Sequence, residues 1–235
     1  MSSWCVTPRA AAVPVGGADT RLVYIGTHDT APIDRDCRMP RTVATHLVKH
    51  AKLPATALSD DAAALTQPPV LRACVLAAAC LFTTRGVPQV LAGDECLEHR
   101  SKPWPHAPHL DTRRGDTVAA AVVACYHDLI GLRRNLGGTT AGLSGPHLSL
   151  LHHNPHSKVL VWHRWDEGGP RDDTIVVANF GNNDFNEYRC VLVGSAAAAR
   201  GGGCCVWVLA RVCLTCAGAV VGRLNSPCEC FPWCT

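Results

Sequence analysis

The sequence predicts an α/β unit of a parallel barrel, followed by a small antiparallel β domain. Residues 21–30, RLVYIGTHDT, form an apolar strand that ends in adjacent His28 and Asp29. A long apolar run at 71–82 then leads through a turn to a second strand, VPQVLAGDE, at 87–95. Strand, helix and strand with acids at both strand ends are typical of consecutive units of a parallel (β/α)8 barrel.

Local patterns predict each element of this first part. Residues 22–27 read as a buried strand, because parallel strands covered on both faces are continuously apolar. Residues 31–58 are rich in Pro, Arg and His and predict a long loop over the barrel mouth. The proline pair at 68–69 moves the start of the next helix, which we place at about 70–84 and expect to be buried. The next strand is predicted at 87–92.

One more helix and three strands are predicted further along. Asp116 and Thr117 cap a helix over about 118–135, and one face of that helix is apolar: Val122, Cys125, Leu129 and Leu132. The segments HLSLLHH, KVLVWHRW and DTIVVANF read as short strands separated by Asn-Pro and Gly-Gly-Pro turns. They predict a small antiparallel β domain, in which Trp162, His163 and Trp165 are core and strand-face residues.

Composition limits the classes of function. The net charge is +3 with 17% charged residues, and the cations are scattered, which argues against nucleic-acid binding. Residues 1–20 lack a basic segment before an apolar core, so we predict a disordered leader rather than a secretory signal, with an organelle transit peptide as the alternative. We therefore expect an intracellular protein, of the cytoplasm or a plastid.

The C-terminal tail, residues 194–235, breaks with the rest of the composition. Seven of the fourteen cysteines lie between Cys204 and Cys234, after an Ala- and Gly-rich stretch. We interpret the tail as disordered or not native coding sequence, and expect no membrane span, because Arg211 lies in the middle of its apolar run. A zinc knuckle or a disulfide-dependent interaction module is the alternative, although the second cysteine pair has nonstandard spacing.

These passages resemble the C-terminal part of the α-amylase superfamily, glycoside hydrolase family 13, and most closely its bacterial-type α-1,4-glucan branching enzymes and α-amylases. The resemblance rests on the His-Asp pair, on Gly93-x-Glu95, and on the stretches 126–145, 158–180 and 185–190. It implies that residues 21–144 form the last two units of the catalytic barrel and residues 145–193 part of the following all-β domain. The implied ligand is an α-glucan such as starch or glycogen, with no cofactor.

The resemblance also implies roles for four residues. Asp29 is expected to stabilise an oxocarbenium-like transition state, and His28, Glu95 and Trp104 are expected to bind substrate. Three of the four have a structural alternative: Asp29 could cap loop amides, Glu95 could order the loop at the barrel mouth, and Trp104 could be a packing residue. No metal site is expected, because the histidines that suggest one read as loop residues without an acidic or cysteine partner: His152, His153 and His156.

A retaining glycosidase also needs a nucleophile and a general acid about 5 to 5.5 Å apart. In the resembled family both lie at the ends of earlier barrel strands, whereas residues 1–20 contain one acid, Asp19, in no such context. We therefore expect a fragment of an α-glucan-active hydrolase or transglycosylase that is inactive alone, and aggregation through its unpaired strand edges. The alternative is a noncatalytic glucan-binding or accessory protein.

Overall fold

The computed structural model describes residues 21–27, 38–58, 67–99, 115–169, 171–181 and 183, together with the backbone of two strands at 206–210 and 220–223. A helical part precedes a β-sheet part along the chain. The helical part contains two short strands, β1 Leu22–Tyr24 and β2 Val87–Gln89. Its three α-helices are α1 Met39–Lys49, α2 Pro68–Thr83 and α3 Thr117–Arg133. Short 3-10 turns lie at Ala55–Leu58, Asp94–Cys96 and Ala141–Leu143.

Strands β1 and β2 pair in parallel, with Leu22 opposite Val87 and Tyr24 opposite Gln89. The predicted strand–helix–strand order is therefore present, although the sheet has two strands among the described residues and a barrel stays a prediction. The prediction that residues 22–27 form a strand buried on both faces was wrong. The strand is shorter, and the side chains of Leu22, Tyr24 and Val87 are about half exposed, because the described helices cover only one face.

Helix α1 lies inside the stretch predicted to be a long loop, so that prediction was wrong for residues 39–49. Pro40 sits in the first helical turn, where a missing backbone N–H breaks no helical hydrogen bond. Met39, Val43 and Leu47 follow each other at intervals of four residues and pack against the hydrophobic core. This apolar stripe outweighs the loop-like composition of the segment.

Helices α2 and α3 confirm the predictions closely. Helix α2 begins two residues earlier than predicted and is largely buried. The Asp116 carboxylate caps α3 by accepting hydrogen bonds from the amides of Val118 at 2.9 Å and Ala119 at 3.2 Å. The predicted apolar face of α3 joins the core through three of its four residues, Val122, Cys125 and Leu129, whereas Leu132 is half-buried. No helix in the described ranges is long and apolar enough to cross a bilayer.

The second part is a sheet whose first three strands are antiparallel, as predicted: β3 His147–Asn154, β4 Val159–Trp165 and β5 Thr174–Asn179. The backbone of β6, Val206–Ala210, adds in parallel to β5, and that of β7, Val220–Arg223, adds antiparallel to β6. The valines and leucine of these two segments favour extended backbone. The interpretation of residues 194–235 as disordered or not native coding sequence stays a prediction.

Two arginines bind the end of α2, one from α3 and one from the sheet. Arg133, the last residue of α3, donates to the carbonyl oxygens of Thr84 and Gly86, and Arg164 of β4 donates to that of Thr83. A helix C-terminus leaves carbonyl groups without intrahelical partners, so positive side chains are favoured there. Burial lowers the pKa of Arg133.

Candidate functional site

The candidate site lies where β1 and β2 end. Because the strands are parallel, their carboxyl ends meet at one edge of the sheet. Tyr24 is opposite Gln89 in the sheet. In the sequence, Asp29 comes five residues after Tyr24, and Asp94 comes five residues after Gln89. The segment 93–98 after β2, called the acidic turn below, is the part of this site that the structure describes.

Three of the predicted site residues, His28, Asp29 and Trp104, lie outside the described residues. Their implied roles therefore stay predictions. The fourth, Glu95, is described, and it lies in the acidic turn beside Asp94.

The acidic turn reverses the chain through a left-handed glycine. Gly93 has φ +102°, and its carbonyl oxygen accepts from the amides of Cys96 at 3.1 Å and Glu98 at 2.8 Å. A Cβ atom at position 93 would lie 2.8 Å from Cβ of Glu98 and 3.1 Å from Nη1 of Arg38. Both the backbone conformation and the close packing therefore require glycine here.

Glu95 orders this turn. Its Oε2 accepts a hydrogen bond from the Gly93 amide at 2.8 Å, and its side chain is partly exposed. This contact matches the structural alternative, in which the carboxylate shapes the loop at the barrel mouth. Sugar binding by Glu95 stays a prediction. One of the two carboxylate oxygens, Oε2, is already engaged with the backbone.

Asp94 forms an ion pair with Arg38 that the sequence analysis missed. Nη1 of Arg38 lies 3.2 Å from Oδ1 of Asp94, and both side chains are 9% exposed. Burial raises the pKa of Asp94 from 3.8 to about 6; the Arg38 charge opposes that rise and the Glu95 charge adds to it. The partners are 56 residues apart, so no local spacing could have revealed them.

Behind the acidic turn lies an apolar floor formed by α2 and α3. Cys74 and Tyr126 are buried there, and the ring of Tyr126 packs edge-to-face on Phe82 with 5.8 Å between centroids. Burial, aided by the charge of Asp94, raises the pKa of Cys74 to about 12 and also raises that of Tyr126. Cys74 is therefore a neutral thiol at physiological pH and is not an activated nucleophile.

Glu98, at the end of the acidic turn, is 2% exposed. Its Oε1 accepts a hydrogen bond from the backbone amide of His99 at 2.9 Å. Its carboxylate thus supports the chain that leaves the turn. The three acids described at this edge, Asp94, Glu95 and Glu98, are thus engaged with Arg38 or with nearby backbone amides.

The aromatic residues of the β domain lie where the sequence placed them. Trp162 and His163 are buried, and the Trp165 ring stacks on the rings of His147 at 5.1 Å and His163 at 4.5 Å. His163 Nε2 lies 2.8 Å from Oδ1 of Asp173, which is also buried. Because a carboxylate accepts, Nε2 of His163 carries the proton.

Of the three histidines considered as metal ligands and predicted to be loop residues, one lies in a turn and two lie on a strand. His152 and His153 lie on strand β3, and His156 lies in the turn that follows it. Across the described part of the chain, no group of three or more His, Cys, Asp or Glu side chains is arranged to hold a metal ion.

Comparison of the sequence with models of protein families and with curated proteins found no match.

Proposed function

We propose that this chain carries the last two units of the (β/α)8 barrel, and part of the following β domain, of an α-glucan-active hydrolase or transglycosylase of the α-amylase superfamily. One observation supports the proposal most: β1 and β2 pair in parallel, so the segment with the His-Asp pair and the acidic turn both follow strand ends at one edge. An antiparallel sheet then follows in the order that the resemblance implies.

In this proposal, residues of the chain bind the sugar and stabilise the positive charge that develops on it. Asp29 would accept hydrogen bonds from ring hydroxyls that strengthen as positive charge develops, His28 would orient the same sugar, and Trp104 would stack on it. Glu95 would act from the acidic turn. No residue of this chain is assigned as the nucleophile or the general acid, so turnover would need those carboxylates from another segment.

Affinity electrophoresis through gels that contain glycogen tests this proposal. The wild-type chain should be retarded, and the Asp29→Asn chain should lose most of the retardation because the amide is a weaker acceptor than the carboxylate. Asp166→Asn is the matched control, since Asp166 is exposed on the β domain. A wild-type chain that migrates equally with and without glycogen would contradict the proposal.

A second candidate is a noncatalytic glucan-binding protein. The observation that favours it is the acidic turn, where Glu95 bonds to Gly93 and Asp94 pairs with Arg38, so neither described carboxylate is presented as a reacting partner of the other. Sequencing of the full-length transcript distinguishes the two candidates. Upstream codons for further barrel units with a paired nucleophile and general acid support an enzyme, whereas retardation by glycogen without such a segment supports a binding protein.

A further inference from the structure

The guanidinium group of Arg38 forms hydrogen bonds with the residues on both sides of Gly93. Its Nη2 donates to the carbonyl oxygen of Ala92 at 2.9 Å, and its Nη1 donates to Oδ1 of Asp94 at 3.2 Å. The guanidinium fork thus bridges two acceptors that flank the left-handed residue. A lysine ammonium is a single donor centre on a flexible stem and could not reproduce this planar grip.

The backbone of Arg38 is itself anchored. Arg38 is the N-cap residue of α1, and its carbonyl oxygen accepts from the amide of Thr42 at 2.9 Å and from Oγ1 of Thr42 at 3.1 Å. Since α1 packs into the core, the grip ties the acidic turn to the helical layer. Arg38 also lies nine residues after Asp29 in the sequence (38 − 29 = 9), so it connects the segments that follow β1 and β2.

The groups around Asp94 come from four places in the fold. Arg38 reaches it from the start of α1, Glu95 from its own turn, Cys74 from α2 and Tyr126 from α3. Burial and the Glu95 charge both disfavour the ionised carboxylate, and Arg38 opposes them. The charge of Asp94 near neutral pH therefore depends on Arg38.

We propose that Arg38 is a positioning residue for the glucan site: it pairs with Asp94 and holds the acidic turn fixed, so that the turn presents Glu95 to the sugar. This inference rests on the proposed function. It adds a residue outside the acidic turn, and it predicts that glucan affinity follows the protonation of Asp94.

The experiment measures glycogen affinity between pH 5 and pH 8, together with hydrogen exchange of the amides in the acidic turn. In the wild-type chain, affinity should fall on the acid side with a midpoint near 6, the pKa of Asp94. In the Arg38→Met chain the midpoint should move up by about one pH unit, affinity at pH 7 should fall about twofold, and the turn amides should exchange faster. Arg72→Met is the control, because Arg72 is exposed on α2.

The Arg38→Lys chain keeps the test decisive if the methionine variant does not fold. Lysine keeps the charge, so the pH midpoint should stay near that of the wild type, whereas exchange of the turn amides should still increase because the two-sided grip is lost. A folded Arg38 variant with wild-type pH dependence and wild-type exchange overturns the positioning role. A wild-type chain that binds no glycogen at any pH overturns the proposed function and the glucan part of this inference, while the exchange data still decide whether Arg38 fixes the turn.

Discussion

Arg164 of β4 donates a hydrogen bond from Nη1 to the carbonyl oxygen of Thr83, the last residue of α2, over 2.9 Å. The arginine side chain is fully buried. Its other donors reach three more carbonyl oxygens, those of His147 at 3.0 Å, Leu143 at 2.8 Å and Gly145 at 2.6 Å. A buried cation at the negative end of a helix dipole thus supports both the helix end and the loop into the sheet.

Replacing Arg164 with methionine should destabilise the chain by about 3 kcal/mol or more, because buried carbonyl groups then lose their donor and each unsatisfied group costs about 1–3 kcal/mol. Urea unfolding followed by circular dichroism measures the loss. Arg134→Met is the control, since Arg134 is exposed just after α3, and it should change stability by less than about 0.5 kcal/mol. Equal losses in both variants would show that Arg164 has no special role.

Gly142 packs against the backbone of β4 and should not tolerate alanine. A Cβ there would lie 2.3 Å from the carbonyl oxygen of Asp172, 2.7 Å from that of Arg164 and 2.7 Å from Cα of Trp165. The Gly142→Ala chain should lose about 1–3 kcal/mol or more in free energy of unfolding, because all three obstacles are backbone atoms. At Gly137 the nearest atom is 4.0 Å away, so Gly137→Ala should be nearly neutral. A stability of Gly142→Ala equal to that of the control would refute the close approach.

Asp94 should make the folded chain less stable as pH rises. Its pKa is raised from 3.8 to about 6, so the folded state binds the proton more tightly than the unfolded state. This stabilisation is complete below pH 3.8 and is lost as pH rises through 6. The free energy of unfolding of the Asp94→Asn chain, relative to that of the wild type, should therefore rise by up to about 3 kcal/mol between pH 4 and pH 7.5.

Thermal or urea unfolding across this pH range measures the shift. The control is Asp128→Asn, because the Asp128 side chain is 48% exposed. A constant difference between the Asp94→Asn chain and the wild type at every pH would contradict the raised pKa. A shift of the expected size would mean that ionisation of Asp94, which is proposed to support glucan binding, destabilises the folded chain.

Cys74, Cys80 and Cys125 should resist alkylation. Burial raises the pKa of Cys74 and Cys80 to about 12 and that of Cys125, beside the charge of Asp128, to about 11. Because the thiolate is the reactive form, iodoacetamide at pH 8 should leave these three positions unmodified in the folded chain and modify them in urea. Peptide mass spectrometry gives the site of each modification. Rapid labelling of native Cys74 would mean that the apolar floor behind the acidic turn opens readily.

Sequence patterns predicted the elements whose signals are local. Helix α3 was found from its Asp116 cap and its apolar face, and strands β3 to β5 from β-branched runs divided by turn residues. Helix α1 is absent from the prediction because the Pro-, Arg- and His-rich composition of residues 31–58 favours a loop, although Met39, Val43 and Leu47 have the four-residue spacing of a helix face. That spacing was the available signal.

The candidate site was only partly accessible to the same reasoning. Glu95 could be proposed because it follows a strand end, but its bond to the Gly93 amide depends on a left-handed turn that the sequence only hints at. The Arg38 to Asp94 pair depends on how α1 packs, which is a tertiary property. Contacts between segments distant in the chain leave no periodic trace, so these features needed the three-dimensional structure.

The shared attachment of Arg133 and Arg164 to the end of α2 has a consequence for cooperativity. Melting of the sheet alone would remove the Arg164 donor from the Thr83 carbonyl at the end of α2, to which Arg133 also attaches α3. The two parts should therefore unfold in a single two-state transition rather than as separate folding units. Ellipticity at 222 nm, which reports the helices, and tryptophan fluorescence, to which Trp162 and Trp165 of the sheet contribute, should follow superimposable melting curves.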